Sequence, residues 1–393
     1  MKKIIKLSLI TALSVTGLTS TLSAADSIED AFKNGKVKGY LKLHYFAKDY
    51  EGTATKDANI LATGGSISYV TDEFHGISLG STFQASHVLS VDDDSSKYSG
   101  DLDADGSVLS EAYIKYAFDN SYLKGGRQYM KLPLVAGSGS RIFKQSFEAY
   151  KVATKEIPDT TIVAALVTKF QGRTDGEGNE PTFEKIGTDG ATTIYVKNNS
   201  IKNLTLQLSA LDVKDDYMTS FVDAKYNFDV ELKPYISVQY YNTNYDNATA
   251  DSSLAGVKAG INVEGVDLFA AYTETNDDGD VKHGLGSSSY KQYTSTTSTS
   301  GANAFKAGAE TYQVGAAYKF GKLSTKVRHT DFNLPNNEAS LKTSDLKETT
   351  FNFEYKFGGA FKNLKAALDF TILDSAAVDQ QENDLRTKLV YSF

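Results

Sequence analysis

The sequence contains no cysteine and no tryptophan, and only 5 of its 393 residues are proline. Without cysteine it can build neither a disulfide framework nor a thiolate zinc site, so stability has to come from elsewhere. Beyond the first 25 residues no stretch approaches the roughly 20 consecutive apolar residues of a spanning helix, which excludes a helical membrane protein. A chain that crosses a bilayer without such helices has to be a closed β-barrel, which also pairs every backbone polar group internally. The mean hydropathy of -0.33 would suit a soluble protein, but barrels hide apolar side chains at every second position and score low.

Residues 1–25 read as a secretory leader: Lys2, Lys3 and Lys6, an apolar run from Leu7 to Leu18, then Ser23-Ala24-Ala25 with small residues where a signal peptidase cuts. Cleavage after Ala25 would leave 26–393 as a single domain and take the formal net charge from -8 to about -11, because three lysines leave with the leader. The 24 Tyr, 21 Phe and 31 Gly suit strands with aromatic residues near lipid interfaces and glycine-rich turns.

Ser27 to Asn34 predicts a short helix with Ser27 as N-cap, stopped at Gly35. The hydrophobic period then changes to two. Val37, Gly39, Leu41, Leu43, Tyr45 and Ala47 alternate with Lys38, Tyr40, Lys42, His44, Phe46 and Lys48, and successive side chains of a strand point to opposite faces. The closing stretch Leu385-Arg-Thr-Lys-Leu389-Val-Tyr391-Ser-Phe393 follows the same rule, with Arg386 and Lys388 on the polar face. About 18 such segments, with 16 as the alternative, recur at about 20-residue spacing, as an antiparallel transmembrane barrel requires. Short connections near 71–75, 119–120, 229–230, 264–265, 321–322 and 358–363 alternate with long ones near 49–59, 89–106, 173–190, 245–251, 276–309 and 333–346. The short set is expected in the periplasm. The Ser/Thr/Gly-rich 276–309 segment reads as a mobile surface loop of low complexity.

Taking the polar face of each strand as the lumen, the inward charges are Lys38, Lys42, Lys115, Lys225, Lys233, Lys258, Lys319, Lys326, Arg328, Lys356, Lys365, Arg386 and Lys388, against Glu111, Asp223, Asp267, Glu354 and Asp369. A lysine or arginine facing lipid would cost about 2–4 kcal/mol at the midplane, so this sorting is expected only if one face sees hydrocarbon. The lumen therefore reads as basic within an acidic chain, the acidic residues being expected in the loops. Rows of cations in a narrow aqueous pore concentrate anions. The competing reading is that inward lysines balance inward carboxylates on neighbouring strands.

Several segments resemble the OprD-type family of bacterial outer-membrane porins. They are Ala31-Phe-Lys-Asn-Gly-Lys36, Ser107-Val-Leu-Ser-Glu-Ala-Tyr113, Gly126-Arg-Gln128 with Pro133-Leu134, Ser140-Arg141 with Phe147-Glu148, Asp159-Thr160 ahead of Thr168-Lys169, and the strands from Glu348 to Phe393. The resemblance implies an 18-stranded barrel whose third outer loop, Tyr129 to Ser146, folds inward, with Arg141 at the constriction and Pro133 setting the entry bend. It further implies a basic ladder of Lys38, Lys42, Lys326, Arg328, Lys365, Arg386 and Lys388 that guides small carboxylates. The sequence departs from the family in using Lys where Arg is favoured, and in placing Ala367 and Asp369 where more cations would stand. Lys is a point charge where Arg offers a planar fork for a carboxylate.

Asp101, Asp103 and Asp105 before Gly106 open a calcium-loop pattern, but the twelfth position is Ala112, so a solvated acidic loop competes with loose calcium binding. None of His44, His75, His87, His283 and His329 has a nearby Ser with an evident orienting partner, so no enzyme is expected, and no cofactor. An adhesive or structural barrel is the alternative to a channel, although about 18 strands leave an aqueous interior. The expected partners are outer-membrane lipids and lipopolysaccharide around the wall and small anionic or zwitterionic solutes within it. The barrel assembly machinery should read the terminal Phe393; a homotrimer is one option, and no nucleic acid is expected.

Overall fold

The computed structural model describes residues 25–51, 57–92, 102–246, 250–299, 301–335, 345–375 and 380–393. Apart from Ala25, the expected leader lies outside them. A helix, α1 (Ile28–Lys33), is capped as predicted: the Ser27 hydroxyl accepts from the Asp30 N–H at 3.0 Å.

The strands are β1 (Lys36–Tyr50), β2 (Ala58–Val70), β3 (Ile77–Val91), β4 (Gly106–Phe118), β5 (Ser121–Gln128), β6 (Ser146–Thr154), β7 (Thr160–Gln171), β8 (Phe183–Lys185), β9 (Ala191–Asn198) and β10 (Leu204–Val213). They continue with β11 (Tyr217–Asn227), β12 (Tyr235–Tyr245), β13 (Ser252–Val263), β14 (Val266–Thr275), β15 (Glu310–Phe320), β16 (Leu323–Asn333), β17 (Leu346–Lys356), β18 (Leu364–Ser375) and β19 (Gln380–Ser392). All pairings are antiparallel, and β1 pairs with both β2 and β19, so the sheet closes on itself. The three-residue β8 only caps the end of β7, whose remaining length pairs with β9, so 18 strands make the wall. A closed sheet has no edge, and no backbone group is left facing lipid unpaired.

The closure depends on a missing side chain. Gly39 and Phe393 exchange N–H···O bonds of 2.9 and 3.0 Å, and a Cβ on Gly39 would fall 2.5 Å from the Phe393 ring. One rim carries the helix and eight short turns, each with a residue at positive φ: His75, Asp119, Asp159, Asn203, Lys233, Glu264, Gly321 and Asn363. Left-handed residues let a chain reverse in very few residues. Lys233, read from sequence as an inward strand residue, sits in one of these turns instead.

The faces sort as the period of two predicts. On β12, Ile236, Val238 and Tyr240 are 44, 51 and 46% exposed, while Ser237 and Gln239 between them are each 4% exposed. Apolar outside and polar inside inverts the order of a soluble protein and fits a wall standing in hydrocarbon. The interior is not uniformly wet. An apolar cluster including Leu134, Val135, Phe147, Tyr195, Phe221, Tyr241, Val281 and Phe305 packs against the side lined by β6–β13.

Candidate functional site

Two long connections turn into the lumen. The first, residues 129–145 between β5 and β6, is the loop expected to fold inward, and Leu134, Val135, Ile142 and Phe143 in it are all buried. The Lys42 ammonium donates to the carbonyls of Gly139 and Arg141 at 3.1 and 2.7 Å. Gln84 grips the backbone of Lys144 from both sides, accepting from its N–H at 2.8 Å and donating to its C=O at 3.0 Å.

The second is the 276–309 connection, and here the sequence reading is corrected: the segment is not a loose surface loop but a packed insert. The Leu285 N–H donates to Leu134 O at 2.8 Å, the Ala136 N–H donates to Leu285 O at 2.9 Å, and Gln145 and Ser287 exchange two further bonds. Gly284 and Gly286 lie at positive φ, and a Cβ on either would stand 2.2 or 2.4 Å from a carbonyl of the first loop, so the close approach needs glycine. Its polar composition misled because those side chains and amides bond to a polar barrel wall rather than to bulk water.

The wall holds the tip of this insert by charge. The buried Glu348 carboxylate accepts from the N–H groups of Thr297, Ser298 and Thr299 at 2.9, 2.9 and 3.3 Å. Arg328 donates to Ser295 O at 2.6 Å, and Arg386 donates to Thr297 O at 2.9 Å. Hydrogen bonds to ionised groups are about twice as strong as neutral ones, so three wall residues fix a five-residue turn.

The proposed ladder is thus assembled but partly engaged. Arg386 also pairs with Asp384 at 2.9 Å, Lys388 with Asp369 at 3.4 Å, and Lys365 with Glu354 at 3.0 Å. Lys48 pairs with Glu382 and Asp384. Glu348, Glu382 and Asp384 are inner-wall acids absent from the inward charges read from the sequence, and each stands beside a cation. Lys38 is exposed at the short-turn rim, and Lys326 has no ion-pair partner among the described residues. Arg141 lies over Phe46 at 5.2 Å, with the Arg386 guanidinium 4.4 Å from the same ring. The Lys42, His44, Arg141, Arg386 and Lys388 groups lie close enough for their charges to act on one another. His44 at their centre is fully buried, and neither ring nitrogen has a hydrogen-bond partner among the described residues.

A second basic cluster was missed except for Lys115. Lys115, Lys124 and Lys151 stand in direct cross-strand register on β4, β5 and β6. Lys144 reaches the same region from the first loop. Burial, and then neighbouring Lys131 against the opposing pull of Glu111, brings the Lys144 ammonium down to about 8. The available signal was the alternation of Tyr122, Lys124, Gly126 and Gln128, which places Lys124 on the inner face.

His283 and Ser289 do form a pair, Nδ1 to Oγ at 2.7 Å, which the sequence did not show. The serine hydroxyl donates to Gly286 O at 2.6 Å, so it accepts from the imidazole and is not deprotonated by it. That polarity is opposite to the one a nucleophile needs. Desolvation, and then Lys282, lowers His283 to about 4, and its ring stacks on Tyr290 at 3.7 Å. Of the calcium candidates, Asp101 lies outside the described residues, Asp103 sits half-buried, and Asp105 accepts from His87 Nδ1 at 2.7 Å and the Val88 N–H at 3.3 Å.

A family model described as outer membrane porin, OprD family, matches residues 78–393. No curated protein matches the sequence. Among solved structures, Pseudomonas aeruginosa OpdO superposes with a TM-score of 0.78 at 17% identity, over 93% of this chain and 98% of that one. Pseudomonas aeruginosa OccK9 (OpdG) gives 0.79 at 17% identity, over 93 and 100%. Acinetobacter baumannii OccAB4 gives 0.77 at 16% identity, over 92 and 98%. At such identities the structural likeness speaks for the barrel fold.

Proposed function

Because the chain belongs to the OprD family of outer-membrane porins, we propose that its lumen passes small hydrophilic solutes by diffusion and favours anions and carboxylate-bearing molecules such as amino acids or organic acids. The observation that carries this reading is the grouping of Lys42, Arg141, Arg386 and Lys388 where the first loop meets the β19–β1 wall. Cations gathered between low-dielectric walls raise the local concentration of anions by about 10–10³. A guanidinium is a planar fork suited to carboxylates, as the Arg386–Asp384 pair at 2.9 Å shows, and Phe46 lies beside both Arg141 and Arg386. The short-turn rim would face the periplasm and the long loops the outside. Two of the long loops turn inward, which favours a narrowed channel over an adhesive surface.

Liposome swelling tests the proposal. Vesicles carrying the purified barrel should swell faster in a small monocarboxylate or amino acid than in a neutral sugar of equal size. Equal rates would remove the charge preference, and no swelling would remove the channel.

A further inference from the structure

We propose that Lys115, Lys124 and Lys151, with Lys144 beside them, form a separate anion station in the lumen that takes the second negative charge of a compact dianion. The station rests on the porin reading above but uses none of its ladder residues. Like charges directly opposite one another across a sheet are destabilising, and three consecutive strands here present lysine at the same level on the inner face. A repulsive row kept in a fold is expected where function needs it.

Its surroundings leave the charge uncompensated. Among the described residues Glu111 is the one acid at the cluster: its Oε1 accepts from the Tyr129 N–H at 3.1 Å and lies 3.9 Å from Lys124, and its Oε2 accepts from the Thr82 hydroxyl at 2.7 Å. Four ammoniums therefore face one carboxylate that is already bonded to the wall and the loop. Aromatic rings support the cations in place of acids. Lys124 lies 3.3 Å from the Tyr113 ring centroid, Lys144 lies 3.4 Å from Tyr129, and Tyr122 stands 5.1 and 5.4 Å from Lys115 and Lys151. A ring takes one side of an ammonium and leaves its other N–H donors for a ligand.

The row is also connected to the ladder. The double grip of Gln84 on the Lys144 backbone fixes where that side chain starts, and Lys144 lies close enough to both Lys42 and Lys124 for their charges to interact. A solute with two negative groups can hold one on the ladder and one on the row, which a monoanion cannot do.

The test is block of the KCl current through single channels by succinate, inorganic phosphate and acetate, in the native chain and in K115Q/K124Q/K151Q. Block by succinate, by phosphate, or by both should weaken tenfold or more in the variant, in line with the range for one-sign clefts, while acetate block is unchanged. Loss for succinate alone assigns the station to dicarboxylates, and loss for phosphate alone assigns it to phosphate dianions. Unchanged block by both dianions, or an equal loss for acetate, overturns the proposal. Calorimetric titration of succinate and phosphate into the detergent-solubilised barrel separates the two readings. Binding that the variant loses would keep the station even if bilayers stayed silent, whereas conductance steps without any such difference would keep the porin and end the station. Lys124→Gln alone serves as a second variant should the triple substitution assemble poorly.

Discussion

At the scale of single residues, the interior rewards side chains whose charge state suits a crowded polar space, and His283 shows the consequence. Its folded-state value of about 4 lies below the ordinary 6.5, so the neutral imidazole is the form that fits between Tyr290 and Ser289. The sign follows: the packing of the 276–309 insert has its full stability above pH 6.5 and loses it as pH falls toward 4, by something on the order of 3 kcal/mol. Single-channel recordings should grow noisier across that window in the native chain, and His283→Gln should flatten the response. Equal noise at pH 7 and pH 4 in the native chain would contradict the assignment. This residue was not legible in advance. Nothing in the 276–309 sequence said that the loop would turn inward, because a Ser/Thr/Gly-rich segment bonds equally well to water and to a polar wall.

At the scale of elements, the strands were readable because a period of two is imposed by lipid on one face and solvent on the other, as the exposed Ile236, Val238 and Tyr240 of β12 illustrate. Short turns were marked by residues that tolerate positive φ, such as Asp119, Asn203 and Gly321. The partnership between wall and insert was hidden, since Glu348 lies 49 residues from Thr299 in sequence and only the closed barrel brings them together. That partnership makes a prediction. Glu348→Ala leaves three amides unpaired and removes one of the two acids near Arg328, at roughly 1–3 kcal/mol for each unsatisfied group, so the turn at 295–299 should detach while the barrel stays folded. Larger single-channel conductance, with new protease cleavage within 276–309, is the expected outcome. Unaltered conductance and protection would mean that the aromatic and glycine contacts hold the insert unaided.

At the scale of the whole molecule, an acidic chain encloses a lumen with two basic regions, one on the β16–β1 wall and one on β4–β6. The first was legible as a sorting of charge by face, and its partial balance by inward carboxylates such as Glu354 and Asp369 was legible as the competing reading, whereas the parts of Asp384 and Glu382 were not, because the register that pairs them is a property of the closed sheet. The reversal potential of the native channel in a planar bilayer under a KCl gradient tests the central claim most directly. Stepwise currents that reverse at a potential of the sign set by chloride are the predicted result, and a potential of the sign set by potassium, or a silent bilayer, would contradict it.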